Sequence, residues 1–236
     1  MADHKIYRRG KAHNKNLNEP HNGMSPIVLT IIAANVLMSF KGFNDRYFFE
    51  RYKFQVGPIN GGQRIRLLSS AFLHVDVSHL LFNMLTLYFF ADVVLWGVGP
   101  LFFILIYGVS LFAGNWFSLK RHQSEPYYSA VGASGAVMGV LYAAIMLMPH
   151  MGLYLFFIPI PIPAWLFGIL YLLYSIYGMK RQLGSIGHDA HIGGAVGGYA
   201  IMLLLRPELL VTDLWLVLLM ALPIGLLYLL EKKRLI

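Results

Sequence analysis

The sequence predicts an all-α integral membrane protein, and three observations predict it. Hydrophobic residues make up 57% of the chain and charged residues 13%, with a mean hydropathy of +0.59, values typical of a multi-spanning protein and far from those of a soluble domain. Apolar runs of membrane-crossing length recur along the chain between polar breaks. The basic residues that give the net charge of +8 collect at the ends of these runs without an aromatic-basic reading surface, so they suit lipid headgroups and argue against nucleic acid. No cysteine is present, which excludes disulfides, thiol nucleophiles and thiolate metal sites.

Three regions follow. Residues 1–24 form a basic flexible N-terminal tail carrying Lys5, Arg8, Arg9, Lys11 and Lys15. Residues 25–206 form a core of six spans, with a long first loop at 41–77, and residues 207–236 add a further C-terminal span and a basic tail. No A-x-A-like cleavage site follows the first apolar run, which is therefore read as a retained span rather than a signal peptide. The seven spans are expected at about 25–40, 78–96, 100–119, 134–148, 153–178, 190–205 and 213–230, each needing about 20 residues at 1.5 Å per residue to cross roughly 30 Å of hydrocarbon. Pro223 and Gly225 allow the last of them a kinked or interfacial alternative. The first loop interleaves Tyr47, Phe48, Phe49 and Tyr52 with charges, a mixture that suits the membrane interface.

Polar residues interrupt the apolar pattern at three places. Gly132-Ala133-Ser134-Gly135 sets a serine at the start of span four. Alone, such a serine is as well explained by a hydroxyl bonded to its own helix and by glycines that only pack helices. His79 and Asn83, four residues apart, share one face of span two about a turn below its start, and His191 opens span six above a glycine face. Spans two, four and six run in the same direction, so all three polar sites fall in one leaflet at similar depth. The run from Ser134 to Pro149 covers about 24 Å of helix, short of the ~30 Å core, which sets the cluster below the membrane surface. Polar groups at that depth are tolerated when they line a water-filled cavity.

Serine, two histidines and an asparagine in such a pocket suit nucleophilic acyl transfer. Ser134 needs a base to take its proton, and His191, neutral at the positive end of its helix, is best placed to do so. The Ser134 backbone N–H, the Asn83 amide and the His79 ring are candidate donors to the oxyanion. Gly135 and Gly139 on span four and Gly194 and Gly198 on span six are small-xxx-small pairs that let two backbones approach, with Gly132 just ahead of the serine. Asp189 is read as an N-terminal cap or loop residue, which leaves a Ser-His dyad with no carboxylate. The second glycine of a G-x-S-x-G elbow is missing, which excludes an α/β-hydrolase. Nothing in the chain asks for a metal or another cofactor, and its length and motifs leave oligomeric state unread.

At these residues the chain resembles the rhomboid family of intramembrane serine proteases, with Phe72-Leu73-His74 through His79 and Asn83, Gly132-Ala133-Ser134-Gly135, and Ala190-His191 with Gly194 and Gly198 occurring in order. The resemblance covers about 25–205 and implies a six-helix core, here with a seventh helix. It implies a serine endopeptidase with Ser134 as nucleophile, His191 as base and acid, and His79 and Asn83 assisting the oxyanion. It implies, as partners, single-span or multi-span membrane proteins cut near the outer end of a transmembrane segment, with a small residue at the cut and a destabilised helix around it. His74 matches a position that looks structural. Three departures stand out: Ile65 precedes Arg66 where a tryptophan is usual, Leu95 replaces a frequent glutamate, and Met138 replaces an aromatic expected to pack on the catalytic histidine.

The resemblance places the chain in a bacterial inner (plasma) membrane with its active site facing outside, whereas most of the lysines and arginines then fall on the outer side, against the usual charge rule. A catalytically silent relative that binds transmembrane clients is the alternative; loss of Ser134 or His191 would mark it, and both are present. A transporter would show inverted repeats and charged partners inside spans, and neither is seen.

Overall fold

The computed structural model describes residues 24–155, 158–181 and 187–233; the basic tail expected at 1–24 lies outside them except for Met24, as do the last three residues. Among the described residues seven long helices dominate: α1 (Pro26–Asn44), α2 (Val77–Val98), α3 (Pro100–Arg121), α4 (Ser134–Leu147), α5 (Ala164–Arg181), α6 (His188–Leu205) and α7 (Leu214–Lys232). Their ends follow local chemistry. Pro26 and Pro100 occupy first-turn positions where a missing N–H costs nothing, and the Asp76 carboxylate caps α2 by accepting from the His79 N–H at 2.7 Å. Lys120, Arg121, Lys180 and Arg181 stand in the last turns of α3 and α5, against the negative ends of the helix dipoles. Gly99, at φ +83°, makes the tight turn between α2 and α3.

The exposure pattern is inverted relative to a soluble protein. Leu37, Trp96 and Leu204 are each at least 70% exposed, while Asn35, Ser39, Ser110 and Ser175 are wholly buried. Apolar residues therefore face outward from the bundle, as lipid requires, and the small polar residues face in. Among the described residues four helices, α1, α2, α3 and α7, are each long and apolar enough to cross a membrane.

Helix α4 is the axis of the bundle, with every residue from Gly135 to Met146 buried. Its 14 residues span only about 21 Å, so it begins and ends inside the thickness set by its longer neighbours. Glycines let α6 lie against it. A Cβ on Gly194 would overlap the Gly135 carbonyl oxygen, one on Gly198 would overlap the Gly139 carbonyl, and one on Gly139 would overlap Ser110 of α3. Among the described residues the most extensive helix pairing is α3 with α6, through glycines not singled out from sequence: a Cβ on Gly193 would stand 2.7 Å from the Ala113 carbonyl oxygen, and one on Gly114 would stand 2.6 Å from that of Ala190.

Among the described residues two small antiparallel ladders qualify the all-α expectation. In the first loop β1 (Phe54–Gln55) pairs with β2 (Ser129–Ala130), which lies just ahead of α4, and short helical turns at Arg46–Tyr52, Val56–Asn60 and Arg66–Ser69 flank it in sequence. Arg66 is buried there and works without the missing tryptophan: it donates to the carbonyls of Glu50 (2.8 Å) and Lys53 (3.0 Å) and to the Gln63 side chain (2.8 Å). The second ladder corrects the span expected at 153–178. Residues β3 (Gly152–Leu155) and β4 (Ile158–Pro163) form a hairpin, and the helix starts only at Ala164. Pro159, Pro161 and Pro163 recur at every second position, which no helix tolerates but the outer edge of a strand does. The inward N–H groups stay available, as the Ala164 N–H shows by donating to the Met151 carbonyl at 2.9 Å.

Helix α7 is continuous through Pro223 and is packed into the bundle. Met220 covers Gly168 of α5, Tyr199 of α6 donates to the Val217 carbonyl at 2.9 Å, and Glu231 meets Arg121 of α3 at 3.4 Å.

Candidate active site

Ser134 is the first residue of α4 and is half-buried. The backbone reaches it through Gly132 at φ +127°, a conformation that glycine adopts freely. Glycine is also needed for space: a Cβ at Gly132 would stand 2.9 Å from His79 Nε2 and 3.7 Å from Ser134 Oγ. The His79 ring therefore lies over the turn that delivers the serine. As the first helical residue, Ser134 has an N–H that the helix leaves without an internal acceptor.

The loop before Ser134 is held from behind. The Gly132 N–H donates to the Ser70 carbonyl at 3.0 Å, and the Ala133 N–H points at His74 Nε2 at 3.5 Å. His74 is wholly buried, and its Nδ1 lies 2.8 Å from Ser39 Oγ of α1, which in turn donates to the Phe72 carbonyl at 3.1 Å. Each donor then has one acceptor only if His74 is protonated on Nδ1: Nδ1–H to Ser39, Ser39 O–H to Phe72, Ala133 N–H to Nε2. His74 thus ties α1 to the turn before the serine and touches the His79 ring edge-on at 4.9 Å between centroids.

Burial, and to a lesser extent the neighbouring His79, holds the His74 pKa down at about 3 from an ordinary 6.5. The folded state therefore binds a proton there less readily than the unfolded chain, so the stabilisation is complete above pH 6.5 and is lost as pH falls toward 3. At about 1.4 kcal/mol per pH unit, acidification to pH 4 should remove about 3 kcal/mol. His74→Gln, which cannot titrate, should start less stable and lose that much less between pH 7 and pH 4. Unfolding in mild detergent across that range checks this, and equal losses in the two proteins would contradict it.

Asn83 is buried one turn below His79 and spends one amide N–H on the His79 carbonyl at 3.2 Å, leaving the other available. His191 is buried in the first turn of α6, four residues after Gly187, whose carbonyl accepts its N–H at 3.1 Å. Helices α4 and α6 meet beside both residues, since a Cβ on Gly135 would stand 3.1 Å from the Ala190 carbonyl oxygen and Gly194 abuts the Gly135 carbonyl. Among the described residues no hydrogen bond joins Ser134 Oγ to His191. His191 Nδ1 is instead 3.0 Å from the Tyr171 hydroxyl of α5. Tyr171 was not singled out from sequence; its ring lies 5.9 Å from that of His191.

Asp189 is not a cap or a loop residue. It lies within α6 behind Gly187, buried, with Arg121 Nε 3.1 Å from one oxygen, outside hydrogen-bond alignment, and His122 Nε2 3.0 Å from the other. Tyr128 stacks on His122 at 3.5 Å and donates to the same carboxylate at 3.5 Å. A buried carboxylate requires such partners, and these fix the start of α6 to the end of α3 two residues before His191. Among the described residues no group of three or more His, Asp or Glu is arranged to hold a metal ion. Two apolar crevices, of about 290 and 570 Å³, lie between α3, α6 and α7 and between α1 and α3, and neither is lined by Ser134 or His191.

Comparison with known proteins agrees in kind. Residues 61–208 match the Rhomboid domain. The chain is 31% identical over 186 residues to RHOMBOID-like protein 12, mitochondrial, of Arabidopsis thaliana, covering 72% of this chain and 55% of that protein. It is 34% identical over 138 residues to Rhomboid protein 1, mitochondrial, of Saccharomyces cerevisiae, covering 57% and 40%. It is 33% identical over 140 residues to Rhomboid protease GluP of Bacillus subtilis, covering 58% and 25%. The chain thus spans about half or less of the length of these relatives. With the Rhomboid domain matched over more than half its length and its helices apolar on their outer faces, the chain is a multi-pass helical membrane protein and belongs to the rhomboid family.

Proposed function

We propose that the protein is an intramembrane serine endopeptidase that cleaves transmembrane segments of other membrane proteins, with six helices as the protease core and α7 as a seventh span. The observation that carries this reading is the gathering of Ser134, His79, Asn83 and His191 at the same ends of α2, α4 and α6, beside an α4–α6 contact made by glycine backbones. In this mechanism His191 Nε2 takes the proton of Ser134 Oγ as the oxygen attacks the scissile carbonyl. The free N–H of Ser134, the spare amide proton of Asn83 and the His79 ring receive the oxyanion. His191 then gives its proton to the leaving amine, and a water, deprotonated by the same ring, hydrolyses the acyl-enzyme. Water must reach the site, so the pocket below the membrane surface is proposed to be wet.

A transmembrane helix hides its carbonyls in its own hydrogen bonds, so substrates with a locally unstable helix and a small residue at the cut are proposed to be preferred. A bacterial plasma membrane with the active site toward the outside is the proposed location; relatives come from both bacteria and mitochondria. A fluorophosphonate probe tests the chemistry without a substrate. It should label the wild-type protein at Ser134 and label His191→Ala at least roughly 100-fold more slowly. Equal labelling of the two, or none of Ser134 in the wild type, would favour a silent client-binding protein.

A further inference from the structure

We propose that Tyr171 is a positioning residue for the reaction, its hydroxyl accepting the Nδ1–H of His191 and so holding the imidazole in the tautomer whose Nε2 can take a proton. This rests on the serine endopeptidase reading, but its geometry is independent of it. Tyr171 Oη and His191 Nδ1 are 3.0 Å apart, and His191 makes no other side-chain hydrogen bond among the described residues. The direction of that bond decides which ring nitrogen is free. If the phenol donated to Nδ1, the imidazole proton would sit on Nε2 and His191 could not act as a base toward Ser134; with Nδ1–H donating to the phenol oxygen, Nε2 keeps its lone pair.

The phenol is held in place. Tyr142 of α4 donates to the Gly168 carbonyl of α5 at 2.6 Å. Gly168 lets that contact form, since a Cβ there would stand 2.7 Å from Ile145 Cδ1 of α4 and 3.0 Å from Met220 Cε of α7. Tyr171 lies nearly one turn beyond Gly168 on α5, and Phe167 and Tyr174 flank its ring at 5.8 and 6.3 Å. Among the described residues no carboxylate is hydrogen-bonded to His191, and Asp189 is committed to Arg121 and His122. A neutral acceptor suffices in principle. When His191 becomes cationic in the transition state, the bond from its Nδ1–H becomes charge-assisted and strengthens, so the contact acts on turnover more than on binding.

Tyr171→Phe keeps the ring and removes only the acceptor. Against a reconstituted single-span substrate it should lower kcat roughly 10- to 100-fold with KM within about twofold, and lower the unfolding midpoint only as far as the loss of one buried hydrogen bond does. Nitrogen-15 NMR of histidine-labelled protein in the Ser134→Ala background reads the tautomer without turnover, with the His191 signal assigned by its loss in His191→Gln. The expected spectrum has the proton on Nδ1 with Tyr171 present and a mixture of tautomers in Tyr171→Phe. Unchanged kcat, a change confined to KM, or a tautomer that ignores the substitution would overturn the proposal. A wild type that shows no Ser134-dependent cleavage would count against the endopeptidase reading instead, while the tautomer still decides the role of Tyr171.

Discussion

Gly194→Ala is expected to destabilise the protein by about 3 kcal/mol or more, and to cost activity even where the fold survives. The added Cβ would overlap the Gly135 carbonyl oxygen, a backbone atom in the most buried helix, so no side chain can move aside to admit it. Relief requires α4 and α6 to separate, and those helices carry Ser134 and His191. Gly225→Ala is the matched control. Among the described residues nothing lies within 4 Å of the position its Cβ would take in α7, so the same change there should be neutral or stabilising by about 0.5–1 kcal/mol from helix propensity alone. Unfolding of both variants in one detergent checks the pair, and a similar effect at the two sites would show that the α4–α6 contact is looser than the glycines indicate.

The second large effect concerns the dyad. Ser134→Ala and His191→Ala should each lower kcat by roughly 10³-fold or more, and the double variant should be no worse than the more damaging single one. Non-additivity is the informative part. A nucleophile and its base act as a unit, so once one is gone the other contributes little; two residues that merely support the fold would add their costs. The Ser134–His191 hydrogen bond is not formed among the described residues, and catalytic contacts of this kind often close only with substrate bound. Comparing the four proteins on one substrate, with KM measured for each, separates these cases.

Much of this arrangement was legible in the sequence because a membrane makes polar residues conspicuous. Ser134, His79, Asn83 and His191 stand out in apolar runs, and the direction of the spans sets them in one leaflet before any packing is known. The hairpin at 152–163 was missed for the opposite reason: Ile, Leu and Phe made it look like the start of a span, and the alternating prolines, which forbid a helix, were outweighed by hydropathy. Asp189 is hard to place from sequence because its partners, Arg121 and His122, lie 68 and 67 positions away in the chain, and nothing local in the sequence reveals such a pairing. Tyr171 stayed hidden as one of several tyrosines along α5. The packing of α5 against α6 decides which of them reaches the histidine. Gly114, Gly193 and Gly197 share that limit, since spacing marks glycines that can pack and tertiary contact decides which helix each one meets.

The central claim is most directly tested by incubating the purified full chain in lipid vesicles with a single-span substrate whose membrane segment contains small and helix-destabilising residues, and by identifying the products by mass spectrometry. Wild-type protein should cut once within the membrane segment near its active-site end, and Ser134→Ala should leave the substrate intact while still folding. Equal cleavage by the two proteins, or a cut confined to the soluble part of the substrate, would contradict the account.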